Sequence, residues 1–211
     1  MCGAFSVLHP FKEVGRHFNA GYNDSYEFPR YNVRPTQLFP IVMEHEGKVM
    51  LVNAVWGIQP VFMKGKMLFN TRDESVATKP YFERLFLKQR CLVPADGFYE
   101  WQHSGSKKIP YYFSLKGKDI FGFAGIWETN KELKQLEFSI LTTEPNPLVA
   151  TVHNRMPVII PHQKELEYIS PNQTAEELLK LLKPYPAKNM QMREVSTLVN
   201  SAKNETSDIL K

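Results

Sequence analysis

The chain's 211 residues are 43% hydrophobic, 12% aromatic and 23% charged, which excludes a disordered chain and provides for one sizeable core. Lys and Arg number 26 against 22 for Asp and Glu; the net charge of +4 mildly favours an anionic partner such as nucleic acid and equally fits an ordinary solvated surface. No apolar run approaches the roughly 18 residues of a membrane span and no signal peptide opens the chain, so a soluble cytoplasmic protein with no membrane partner is expected.

In chain order, Pro10 to Asn19 reads as a short helix, with apolar residues at 11, 14 and 18 on one face and Gly21 to end it. Lys48 to Trp56 reads as a strand and Glu74 to Arg90 as a helix. From there β patterning dominates: Cys91 to Trp101, Ile109 to Leu115, Ile120 to Trp127 and Leu136 to Thr143 are strand candidates. Ile109, Tyr111, Phe113 and Leu115 alternate along the chain, and Lys116-Gly117-Lys118-Asp119 offers a hairpin loop into Phe121 to Ile126, so an antiparallel meander is expected. Met156 to Ile160 adds a strand, and Thr174 to Leu182 a helix opened by a Thr174/Glu177 capping box. Consecutive strands, flanked by rather than alternating with helices, make the class α+β; together with the lack of a Gly-rich phosphate loop they exclude a doubly wound nucleotide-binding fold. There is no repeat or linker, so a single domain over residues 1–211 is expected, with only the last few residues loose. Without a heptad or an exposed apolar stripe, a monomer is expected.

The most informative position is the second. Met1 followed by the small residues Cys2 and Gly3 suits methionine removal, which leaves an N-terminal cysteine. Its α-amine, with a pKa near ~8, is roughly one-tenth neutral at pH 7, and a neutral amine attacks carbonyls. The thiol on the adjoining carbon can then close the resulting imine into a five-membered thiazolidine, which no internal cysteine can do. Two cysteines, Cys2 and Cys91, cannot build a disulfide framework. Three clusters could serve such a nucleophile. Asn70 and Arg72, in Leu68 to Glu74, could orient an amine and hold a phosphate, or Asn70 or Asp73 could simply cap a helix. Glu100, between Tyr99 and Trp101, is a carboxylate whose burial would raise its pKa into the range of general acid/base work, or else a cross-strand partner for a lysine. His153, in Val152 to Pro157, could shuttle protons near neutral pH or be a surface residue. His103 and His162 have no comparable neighbours in the sequence, and the six histidines and two cysteines show no structural-zinc spacing, so neither a metal nor a cofactor is expected.

Taken in order, Met1-Cys2-Gly3, Tyr31-Asn32-Val33-Arg34-Pro35-Thr36, Trp56-Gly57, Phe69 to Glu74, Pro94 to Trp101 and His153-Asn154-Arg155-Met156-Pro157 resemble the SRAP family, the SOS-response-associated peptidases that process abasic sites. The match extends to Val195-Ser196 and Val199-Asn200 and so covers essentially the whole chain. The resemblance implies a compact fold with a curved, barrel-like antiparallel sheet and flanking helices, a groove for single-stranded DNA, and covalent capture of the ring-opened abasic aldehyde. By the same resemblance Cys2 is the nucleophile, Asn70 positions its amine or the sugar, Glu100 moves protons during imine formation and Met1 removal, and His153 assists ring opening and reversal. Arg72 and Arg155 correspond to phosphate-binding arginines, with Asn32, Pro35 and Thr142 along the DNA path. The chain departs from the family pattern at Ala4, where a basic residue is common, and at Arg34, which replaces a small residue and restores a positive charge. Ile58 to Phe62 stands where a Trp-bearing motif is usual, making Phe62 the candidate wedge against an exposed base. Two other readings fit the same start: a glutamine amidotransferase using an N-terminal cysteine, and a non-catalytic single-stranded DNA-binding module in which Cys2 is a passenger.

Overall fold

The computed structural model describes residues 2–22, 28–63, 65–105, 107–117 and 119–211. In chain order the elements are β1 (Phe5–Val7), α1 (Phe11–His17), β2 (Arg30–Val33), β3 (Leu38–His45), β4 (Lys48–Trp56), β5 (Asn70–Arg72), α2 (Asp73–Thr78), α3 (Pro80–Lys88), β6 (Arg90–Ala95) and β7 (Gly97–Ser104). They continue with β8 (Lys107–Leu115), β9 (Phe121–Asn130), β10 (Gln135–Thr143), β11 (Met156–Pro157), β12 (Ile159–Ile160), α4 (Glu165–Ile169), α5 (Ala175–Leu181) and β13 (Met190–Glu194).

Strands β10, β4, β3, β6 and β9 pair in that order, and β9 pairs back onto β10, so five strands close into a barrel with no free edge of its own. Short strands β5, β11 and β12 extend its rim. β10 runs parallel to both β4 and β5, so the sheet is not wholly antiparallel. A second sheet, in the order β13-β8-β7-β1-β2, is antiparallel throughout. Phe5 of β1 joins the two: its ring lies 5.0 Å from Phe39 of β3, 5.2 Å from Trp56 of β4 and 5.8 Å from Phe123 of β9. At β7, Gly97 is dictated by packing, because a Cβ there would fall 2.0 Å from the Tyr112 ring. A smaller apolar layer of Ala4, Tyr99, Tyr112, Val195, Val199 and Ile209 lies under the C-terminal segment. The last residues, expected to be loose, instead form a 3-10 turn at Ser207–Leu210 with Ile209 fully buried.

Several expected elements exist but are cut where the chain changes layer. The helix over 74–90 is two helices, because Pro80 confines Lys79 to an extended conformation (φ −110°, ψ 118°) and then starts α3 at its own first position. The single strand over 91–101 is β6 in the barrel and β7 in the second sheet. Between them Asp96 is held by the Ser6 hydroxyl at 2.6 Å and by the Leu8 amide. The hairpin across 116–119 is absent in the sense expected: β8 pairs with β7 and β13, and β9 pairs with β6, β10 and β12, so this connection crosses between sheets. Lys118 itself lies outside the described residues. The hairpins that do form include β3–β4, β7–β8 and β9–β10. The strand over 156–160 divides into β11 and β12, which pair with different partners. The Thr174/Glu177 capping box forms as expected, with both reciprocal bonds present. Strands β1, β2, β3, β5 and β13 and helix α4 had no counterpart in the sequence reading.

Candidate active site

The N-terminal segment enters beside β7. Phe5 pairs with Phe98, and the Tyr99 amide donates to the Ala4 carbonyl at 3.0 Å, which carries the preceding residues toward Glu100. Cys2 is completely buried. Asn70, the first residue of β5, donates through Nδ2 to the Cys2 carbonyl at 2.9 Å. β5 can hold that amide in place because it is itself pinned to β10, with Asn70 opposite Ile140. The Asn70 Oδ1 atom is buried and, among the described residues, has no hydrogen-bond partner.

Glu100 is 2% exposed, and burial raises its carboxyl to about 7, against the opposing pull of the positive charge at the chain terminus. The Cys2 thiol is also pushed up, first by burial and then by the negative charge of Glu100, while the chain terminus and Arg34 act in the opposite sense. Its Sγ donates to the Ala4 carbonyl at 3.7 Å. Cys2, Asn70 and Glu100, drawn from β5, β7 and the segment before β1, therefore meet at one point.

Glu100 also lines an open cleft of about 490 Å³ together with His153, Arg34 and Trp101. His153, which follows a 3-10 turn at Val149–Thr151, has its Nδ1 held against the backbone of Arg155, 3.1 Å from the amide nitrogen and 3.2 Å from the carbonyl oxygen, which orients the ring. Burial lowers its pKa, and the positive chain terminus does so further. Arg34 lies 5.3 Å from the centre of the Trp101 ring and donates to Asn32 Oδ1 at 2.7 Å and to the Val199 carbonyl. Trp101 donates to Asn200 at 2.7 Å. His103 and Lys108, directly opposite each other on the β7–β8 hairpin, complete the wall of the cleft. His103 has no comparable neighbour along the chain, Lys108 carries no signal of its own, and Asn200 stands out only within the Val199-Asn200 motif; the register that unites His103 with Lys108 appears only once β7 and β8 are paired.

The expected DNA-contacting residues separate into two groups. Arg72 is exposed at the end of β5, and Phe62 is 65% exposed with its ring edge-on to Tyr81 at 4.9 Å. Pro35 is half-buried in the turn after β2. Asn32 and Thr142, in contrast, are fully buried, which departs from the expected place along a DNA path. Asn32 Nδ2 donates to the carbonyls of Ser201 (3.0 Å) and Asn204 (3.1 Å), clamping the C-terminal segment. Arg155 is tied by Asp73 at 2.8 Å, Glu74 at 2.7 Å and the Thr142 carbonyl at 2.5 Å, and so anchors α2 to β10 rather than standing free for a phosphate. A second polar cluster, His17, His162 and Glu165, lies apart from this cleft.

Residues 1–202 match the SRAP family, described as SOS response associated peptidase. Over its full length the chain is 36% identical to YoaM of Bacillus subtilis, an abasic site processing protein, covering 97% of that protein. It is 29% identical to HMCES of Gallus gallus, also named an abasic site processing protein, over 86% of this chain and 66% of that one. A crystal structure of a protein from Bacteroides thetaiotaomicron superposes with a TM-score of 0.87 at 26% identity, covering 100% of this chain and 99% of that one.

Proposed function

The chain belongs to the SRAP family, a family of abasic site processing proteins, and we propose that it captures abasic sites in single-stranded DNA as a thiazolidine crosslink through Cys2. The observation that carries this reading is the convergence of Asn70 and Glu100 on Cys2: one fixes its carbonyl, and the other is a carboxyl poised at about 7 beside its thiol.

Hydrolysis of the Met1–Cys2 peptide bond by one water frees the Cys2 amine. That amine adds to the C1 aldehyde of the ring-opened deoxyribose, and loss of water gives the imine. The thiol sulfur then adds to the imine carbon while its proton passes to nitrogen, closing the ring with no net gain or loss of electrons. Glu100 serves each proton movement, since a carboxyl near 7 both gives and takes protons at neutral pH. His153, its ring anchored through Nδ1 and lining the cleft beside Glu100, assists opening of the sugar ring. The free Asn70 Oδ1 accepts from the Cys2 amine or a sugar hydroxyl. Arg72, two residues along β5 and so on the same face as Asn70, takes a flanking phosphate. Such contacts read no sequence, which suits a protein whose specificity lies in the aldehyde.

The test is the intact mass of the purified protein before and after incubation with a single-stranded oligonucleotide carrying one abasic site. Absence of Met1, a DNA adduct that survives denaturation and maps to residue 2, and its loss in Cys2→Ala and Cys2→Ser are expected. Glutamine hydrolysis without an adduct, or a complex that disperses on denaturation and persists in Cys2→Ala, overturns the proposal.

A further inference from the structure

Away from the cleft, residues remote in sequence converge on one carboxylate. Glu165 opens α4 and is 2% exposed. Its Oε2 lies 2.8 Å from Nδ1 of His162 and 3.0 Å from Nε2 of His17, which stands 148 positions earlier in the chain, at the end of α1. Its Oε1 accepts from the Gly122 amide of β9 at 3.0 Å. The two imidazole rings lie with centres 4.5 Å apart and planes tilted by 43°. One ligand-capable atom from each of the three side chains lies within 4.8 Å of the other two. The expectation of no metal rested on spacing along the chain, and spacing cannot reveal a set assembled by the fold.

We propose that His17 Nε2, His162 Nδ1 and the Glu165 carboxylate bind a single first-row transition-metal cation, with Zn²⁺ the ion best suited to the set. Two imidazoles and a carboxylate are a zinc-type donor combination, whereas Mg²⁺ and Ca²⁺ call for oxygen donors alone. Bonds of about 2.0–2.1 Å to a tetrahedral zinc put neighbouring donor atoms about 3.3 Å apart. The two nitrogens stand 2.8 and 3.0 Å from Oε2, and the three donor atoms lie within 4.8 Å of one another, so seating the ion requires the carboxylate to move back slightly and the imidazoles to rotate toward it. The Gly122 amide holds the carboxylate from behind, the kind of outer support that orients metal ligands. The fourth position is reachable by water through an open cleft of about 330 Å³ that His17 and His162 line. His9, Glu13 and Asp119 line the same cleft; the first two are hydrogen-bonded to each other at 3.0 Å. On binding, each ring gives up the proton on its ligating nitrogen, to the other ring nitrogen or to solvent. The bound ion then fastens α1, β9 and α4 together, so it stabilises the fold by mass action.

The experiment uses the full chain without an affinity tag, stripped of metal and titrated calorimetrically with zinc chloride. One equivalent per chain is expected, together with a rise in the unfolding midpoint and, with Co²⁺ in place of Zn²⁺, the visible absorption of a tetrahedral site. His162→Ala, at a half-exposed side chain, should weaken binding at least about 100-fold and abolish the midpoint rise, while crosslinking of abasic DNA stays at the wild-type level. Glu165→Gln, nearly isosteric, should also lose the ion. No saturable binding at equimolar zinc, binding unchanged in His162→Ala, or binding lost only in Cys2→Ser overturns the proposal. Because crosslinking is read separately, failure here leaves the abasic-site reading standing.

Discussion

Glu100→Gln isolates the energetic consequence of burying the carboxylate. In the fold Glu100 holds its proton up to about 7, against 4.5 ordinarily. The native state therefore binds more protons than the unfolded state across that interval, and stability falls as pH rises. The sign is fixed: the contribution of the protonated carboxyl is fully present below about 4.5 and is lost as pH rises through about 7. At about 1.4 kcal/mol per pH unit the whole interval is worth about 3 kcal/mol, of which about 2 to 3 kcal/mol falls between pH 5 and pH 8. Because Glu100 is 2% exposed, solvent screening removes little of it. Gln copies the neutral acid and carries no such dependence. Urea unfolding of both proteins at pH 5, 6, 7 and 8 measures the difference, and the remaining titrating groups cancel in it. Glu100→Gln should gain on wild type by about 2 to 3 kcal/mol over the series, whatever fixed offset the amide introduces, and its crosslinking should be slowed at every pH. Parallel stability curves for the two proteins would refute the assignment of a raised pKa to Glu100.

Arg155→Ala should cost about 2 kcal/mol in urea unfolding, because it removes the ion pair with Asp73, leaving that carboxylate held by Thr143, and the bond to the Thr142 carbonyl; an unchanged midpoint would return Arg155 to the pool of free phosphate ligands. Arg72→Ala should reduce the salt dependence of single-stranded DNA binding by about 0.7 in the log–log slope, and an unchanged slope removes Arg72 from the phosphate path. Phe62→Ala should weaken that binding by about 1–3 kcal/mol with little change in unfolding midpoint; equal affinity would make the Phe62–Tyr81 contact purely structural. Gly97→Ala should destabilise by about 2 kcal/mol or more, since its Cβ would meet the Tyr112 ring, and a wild-type midpoint would refute that packing.

The elements legible in the sequence were those whose signal is local. The capping box at Thr174, the strand over Ile109 to Leu115 and the helix after Pro10 each follow from residues within one or two turns, and all three form, although in the strand Pro110 and Tyr112 are buried and Ile109 and Tyr111 only partly so. What was hidden depends on partners. β3 reads as a nearly continuous apolar run because both faces are covered in the barrel wall, which erases the period of two. β5 is three residues long and exists through its pairing with β10. The run from Cys91 to Trp101 gives no sign that Asp96 marks the passage from barrel to sheet, because that passage is set by Ser6 and Leu8, which lie 90 and 88 positions away. The site follows the same division. Cys2, Asn70, Glu100 and His153 were marked by chemistry that any strand or loop could present, whereas Lys108 and Asn200 enter the cleft through register and through the return of the C-terminal segment.

Placing the reactive residue at the seam between barrel and sheet has a chemical consequence for the proposed capture. Burial and the neighbouring Glu100 hold the Cys2 thiol protonated, which disfavours a reaction that begins with thiolate attack, as an amidotransferase would require. An α-amine suffers no comparable handicap, since burial disfavours its charged form and so favours the neutral amine that attacks a carbonyl. The amine therefore acts first and the thiol second, after the imine has formed, when Glu100 can take the proton that the sulfur gives up. The same burial that blocks a thiolate in the resting protein then protects the closed ring from water. A chain terminus placed on an open surface would have the same two groups and neither property. Asn70 secures this arrangement by holding the Cys2 carbonyl, so that the amine and the thiol project from a backbone that does not move between the two bond-forming steps.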